Sequence, residues 1–223
     1  MKVNVNINFI RGIALILMLA ANFFALGAFV FFPKDSLNWF NIIYITGGII
    51  FIAANGLNSY YSKSNREKGV TLLLLAVIYF FITFLISSYS EYSLTVFFGL
   101  LALLAVCKFL SDLLKKPDKS YILLISVLLI ALGVLTSYYK VNFDLLAILN
   151  FKTSLAAEFD FFPFLPFAGV YFIAMYFGSF ISGDYEGGLK SDFISKIGKH
   201  GFLIYFVFSL LFIGILFAVA LFV

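Results

Sequence analysis

Seven stretches of this chain are apolar over about twenty residues, and no other feature constrains the fold as much. They run roughly over 12–32, 39–60, 69–88, 93–111, 121–139, 165–183 and 201–223. At a rise of about 1.5 Å per residue, about 20 residues cross a hydrocarbon core of about 30 Å. Inside lipid each span must satisfy its own backbone N–H and C=O groups, which favours helices. The runs are too long and continuous for the alternating strands, about ten residues each, of a membrane barrel. The expected fold is therefore all-α, a polytopic transmembrane helix bundle of about seven spans. Hydrophobic residues fill 63% of the 223 positions and charged ones 12%, which excludes a soluble domain of this size.

Orientation follows from the cations. Lys2 and Arg11 precede the first run, and Lys63, Arg66 and Lys68 follow the second. Lys108, Lys115, Lys116 and Lys119 end the fourth, and Lys190, Lys196 and Lys199 precede the seventh. The opposite side carries only Lys34, Lys140 and Lys152. That bias puts the amino terminus in the cytoplasm and the carboxyl terminus outside, in a multi-pass protein of the cell membrane. Topology thus accounts for the net charge of +4, which makes no case for nucleic acid. Met1 to Ile10 lack a small-residue cleavage site, so the first span is expected to be retained. One cysteine, Cys107, allows no internal disulfide and no metal cluster. The chain reads as a single transmembrane domain over 1–223. Within it, 140–164 forms an extracytoplasmic interfacial segment, and 184–200 a cytoplasmic interfacial loop with a short helix.

A few polar residues interrupt the apolar background. Arg11 stands at the mouth of the first run, either anchoring to phosphate headgroups or binding an anionic ligand from the cytoplasm. Asn22 lies eleven residues further on, about 16 Å along a helix. A mid-membrane amide must face protein or a cavity. The second run ends small and polar with Asn55, Gly56, Asn58 and Ser59, suited to close helix contact. Lys108 precedes Asp112 by four residues, a spacing that permits a local ion pair. Glu158 and Asp160 stand in E-F-D-F-F-P-F-L-P-F, either as solvated acids of the interface or as bases suited to that role by aromatic neighbours at a membrane face. Pro163 and Pro166 set the start of the sixth span. Over Ser191 to Ile197 a surface helix is expected, with Phe193, Ile194 and Ile197 on one face, capped by Ser191 and ended by Gly198. His200, the sole histidine, follows it. No Gly-rich phosphate loop, HExxH or Cys/His cluster is present.

Five motifs stand in a fixed order between residue 9 and about 209. They are R-G-I-A-L-I-L-M with Asn22, F-I-A-A-N-G-L-N-S, F-F-G-L-L, D-F-F-P-F-L-P-F and G-K-H-G-F-L-I-Y. In that order they resemble the heparan-alpha-glucosaminide N-acetyltransferase family, in particular the catalytic membrane domain of its small bacterial and archaeal members. The resemblance implies an integral membrane acyltransferase that uses acyl-CoA (acetyl-CoA) as co-substrate and no metal. The acyl group would pass from the cytoplasm to a sugar or lipid-linked sugar acceptor on the outer side. On this reading Arg11, Lys199 and His200 receive the phosphates of CoA. Asn22 donates to the developing oxyanion, and Asp160 or Glu158 serves as general base. Where many small members carry histidines, this chain aligns Asn22, Ala102 and Phe208. The alternative is a catalytically degenerate member, acting as a non-enzymatic partner subunit or small-molecule carrier. Membrane lipid, the acyl donor and acceptor, and a second copy of the chain are the partners expected; nucleic acid is not.

Overall fold

In a computed structural model of the protein, residues 7–31, 37–60, 62–89, 95–115, 119–153, 160–180 and 192–222 are described. The helices are α1 (Ile7–Phe31), α2 (Leu37–Ser59), α3 (Asn65–Ser88), α4 (Leu100–Leu114), α5 (Lys119–Thr136), α6 (Phe164–Gly178), α7 (Asp192–Lys199) and α8 (Gly201–Phe222). A 3₁₀ helix spans Asp144–Leu149, and Lys140 and Lys152 form an isolated bridge; among the described residues there is no strand. All but α7 overlap the expected apolar runs. Helices α1, α2, α3 and α5 are long and apolar enough to cross a membrane, and α7 with α8 makes a fifth candidate, bent by 82°.

Helices α4 and α6 have 15 residues each, about 22 Å of helix. Both begin late. Residues 95–99 stay outside α4, with Val96 N–H donating to Thr83 Oγ1 at 3.1 Å. Pro163 holds φ −62° and ψ 146° ahead of α6, a conformation its ring favours, and Pro166 falls in the first turn, where no N–H is needed.

Polarity is distributed inside out for water. Leu74, Phe81 and Leu85 of α3, Leu124 and Leu128 of α5 and Leu211 of α8 are each more than half exposed. Asn22, Asn55, Asn65, Lys108 and Asp160 are buried instead. Such a surface suits lipid, and the polar groups are turned inside protein. The protein is a membrane protein.

The chain divides into two compact units, one built on Asn55–Gly183, the other on Val3–Ala54 and Asp184–Val223, so the division falls within α2. In the first unit α5 lies along α6, and α4 contacts α3 and α6. Leu100, Leu104, Cys107, Lys108 and Ser111 share the buried face of α4 at helical spacing. Beyond α5, the amide of Asn150 donates to Gly133 O at 2.8 Å and Thr136 Oγ1 to Leu149 O at 2.7 Å. These bonds fasten the described part of the expected interfacial segment to the end of α5; residues 154–159 lie outside the described residues.

In the second unit α1 packs against α7 and α8. A Cβ at Gly12 would collide with Ile194 O, and one at Gly198 with Asn8 O and, at 2.7 Å, with Gly12 N. The two helices therefore meet backbone to backbone. This corrects the role expected of Gly198. It does not end α7, which runs on through Lys199; it makes room for α1. Ile194 turns to Gly12 while Phe193 stays 74% exposed. Ser191, the expected cap, lies outside the described residues.

Candidate functional site

Arg11, Asn22, Lys199 and His200 all belong to the second unit. Arg11 is buried, 8% exposed, so it is not a free headgroup anchor. Its Nη1 donates to Asn8 Oδ1 at 3.4 Å, and its guanidinium lies 5.9 Å from the Phe202 ring centroid. Lys199 and His200 are exposed. They follow Gly198 directly, at the crossing of α7 with the first turns of α1 and at the bend into α8. Three of the sequence-derived positions thus converge on one corner, because Gly12 and Gly198 let α1 and α7 approach.

Asn22 stands deeper on α1 and is 6% exposed. Its Nδ2 is buried with no hydrogen-bond partner. Leaving a buried amide donor unsatisfied costs about 1–3 kcal/mol. An amide used as glue between helices would be bonded to a neighbouring backbone or side chain.

Asp160 belongs to the first unit. It is 5% exposed and takes φ 63°, a left-handed conformation that aspartate tolerates better than most residues. Phe162 N–H donates to Phe98 O at 3.3 Å. A Cβ at Gly99 would stand 2.6 Å from Asp160 Oδ2. Gly99 is the N-cap of α4, so the carboxylate rests at the positive end of that helix dipole. A cavity of about 10 Å³ lies alongside, lined in part by Tyr79, Val96 and Gly99, with room for about one water. Glu158 lies outside the described residues.

Motifs far apart in sequence therefore meet. F-F-G-L-L touches D-F-F-P through Gly99 and Asp160. R-G touches G-K-H through Gly12 and Gly198. In both cases a side chain in place of the glycine would separate the pair.

A further cluster went unread in the sequence. Lys108 is fully buried and its Nζ donates to Ser59 Oγ at 2.5 Å and to Asn65 Oδ1 at 3.5 Å. Ser59 Oγ and Tyr171 OH share a hydrogen bond of 2.5 Å, and Ser111 Oγ lies 3.1 Å from Tyr171 OH. The ammonium also stands 6.0 Å from the Tyr171 ring centroid. The local ion pair permitted between Lys108 and Asp112 gives way to a different one. Asp112 Oδ1 pairs with Lys115 at 3.4 Å, three residues on, because Lys108 turns inward to the Ser59 hydroxyl of α2 and the Tyr171 ring of α6. Apolar residues on both sides of Lys108 in A-V-C-K-F-L were the available signal. The same finding removes Lys108 from the cations on which the expected orientation rests.

No curated protein and no solved structure matches the chain. The family model for heparan-alpha-glucosaminide N-acetyltransferase, catalytic, matches residues 4–210, nearly all of the 223. The paired motifs and the lipid-facing helices accord with that match, and the chain belongs to this family of membrane acetyltransferases.

Proposed function

We propose that the protein transfers an acetyl or related acyl group from cytoplasmic acyl-CoA to a hydroxyl or amine of a sugar or lipid-linked sugar on the outer side of the cell membrane. The buried, unpartnered Nδ2 of Asn22 carries this reading. A substrate carbonyl would supply the acceptor that the amide lacks, and the developing oxyanion would strengthen that bond. Arg11, Lys199 and His200 are assigned to the phosphates of CoA. The acceptor attacks the thioester carbonyl carbon, the C–S bond breaks, and CoA leaves as thiolate. The proton lost by the acceptor goes to a general base.

The test is purified protein in lipid nanodiscs with labelled acetyl-CoA and amino-sugar acceptors, read for free thiol and labelled acceptor. Wild-type protein should turn over, and Asn22→Ala should lower kcat by about 10²–10³. The proposal fails if folded protein releases no thiol from acyl-CoAs of any chain length, or if Asn22→Ala is as active as wild type.

One observation favours the second reading, a degenerate member acting as a partner subunit or carrier. Phe208, aligned with a histidine of the last span, is 44% exposed on α8, a position that offers no base. That reading predicts no acyl-CoA-dependent thermal shift.

A further inference from the structure

A buried serine in a helix commonly returns its hydroxyl to the carbonyl four residues earlier. Ser59, Ser111 and Ser126 do so, at 2.7, 2.7 and 2.5 Å from the oxygens of Asn55, Cys107 and Ile122. Ser209 of α8 does not. It is 1% exposed, and its Oγ is buried with no hydrogen-bond partner. In the same unit, Nδ2 of Asn22 has the same defect.

The two residues stand at one level. Contacts between α1 and α8 join Leu15 with Gly201, Arg11 with Phe202 and Phe23 with Phe212. Arg11 and Leu15 meet the first residues of α8 and Phe23 meets Phe212, ten or eleven residues further along, so the helices run parallel, with numbering offsets of 186, 191 and 189. Asn22 and Ser209 differ by 187. They also share the facing sides. Asn22 is seven residues from Leu15, and Ser209 seven from Phe202, close to two full helical turns. The hydroxyls of Tyr44 and Tyr205 in this unit bond each other at 3.0 Å.

We infer that Asn22 and Ser209 together form an intramembrane two-donor site for one carbonyl oxygen, that of an acyl thioester, with Ser209 as the second oxyanion donor. This deepens the proposed function and rests on it. A carbonyl oxygen has two lone pairs, and an amide N–H and a hydroxyl O–H are both donors. Two neutral donors accept a neutral carbonyl in the ground state and gain strength as negative charge develops in the transition state. A cation would find no lone pair on Nδ2.

The experiment uses the full chain in nanodiscs with acetyl-CoA labelled with ¹³C at the carbonyl, read by turnover, by isotope-edited infrared difference spectra and by thermal unfolding without ligand. In wild-type protein the bound carbonyl band should lie below that of free acetyl-CoA. Ser209→Ala should move it back toward the free position and lower kcat by about 10²-fold with little change in KM. The ligand-free Tm should be unchanged or higher, because the removed hydroxyl has no partner. Ser209→Thr, which keeps a hydroxyl, should recover part of both signals. Wild-type kcat and band position in Ser209→Ala overturn the assignment and leave the proposed function standing. A loss of rate that merely follows a loss of Tm also overturns it, since it marks a structural hydroxyl. Absence of both turnover and a bound carbonyl band in wild-type protein overturns the assignment and the proposed function together.

Discussion

Replacing Lys108 tests whether the buried hydroxyl cluster holds the first unit together. In Lys108→Ala the chain loses the bonds to Ser59 and Asn65 and the aliphatic stem that fills the space between them. A hydrogen bond to a charged group contributes about 1.5–3 kcal/mol, and a large-to-alanine change in a closed interior costs about 2–5 kcal/mol. Relief of the buried ammonium offsets part of this. The net expectation is a loss of about 3–5 kcal/mol. Lys108→Met keeps the stem and loses only the ammonium. Ser59 retains Tyr171 as a partner, so this variant should lose about 1–2 kcal/mol. The gap between the two variants, about 2 kcal/mol, reports packing of the stem. Equilibrium unfolding in mixed micelles of rising dodecyl sulfate fraction, followed by far-UV circular dichroism, measures both. Lys115→Ala is the control on the same helix; its pair with Asp112 is part-exposed, so it should change stability by less than about 1 kcal/mol. Equal losses in Lys108→Ala and Lys108→Met, or losses below those of the control, would refute the reasoning.

The other predictions concern backbone geometry. Gly198→Val puts a branched side chain where Asn8 O and Gly12 N already stand; it should cost about 1–3 kcal/mol and raise hydrogen exchange across α7 while leaving α5 and α6 protected. Unchanged exchange in α7 would rule out the backbone contact. Asn150 sits at φ 66° and donates to Gly133 O. Asn150→Ala should therefore lose about 1–2 kcal/mol, and Asn150→Gly distinctly less, in the same micelle titration; equal losses would mean the left-handed backbone contributes nothing.

Much of the architecture was legible because lipid imposes a simple rule. A run of about 20 apolar residues must be a helix there, whatever surrounds it, and α1, α2, α3 and α5 follow that rule closely. Helix α4 was less legible. Its starting point depends on where residues 95–99 leave the helical path, and hydropathy continues unchanged through them, whereas Pro163 announced the start of α6. Arg11, Lys199 and His200 were readable as a cationic group, but their convergence was not. It depends on Gly12 and Gly198, whose value lies in atoms they lack. Lys108 was misjudged because its position in sequence fits a loop-facing cation, while the face of α4 it occupies turns inward.

By itself, then, the sequence determined the membrane class, the helical fold and, through five ordered motifs, the family. These depend on length, hydropathy and local spacing, which are properties of the chain one segment at a time. Tertiary structure alone decided which polar groups meet and which are left without partners. Ser59 closes on Lys108 and Tyr171, Asp160 settles at the start of α4, and Asn22 and Ser209 come to one level with free donors. A polar residue inside a membrane helix is costly wherever it stands in sequence. Whether that cost is met by a neighbour or held for a substrate depends on the rotation and depth of helices joined only through space.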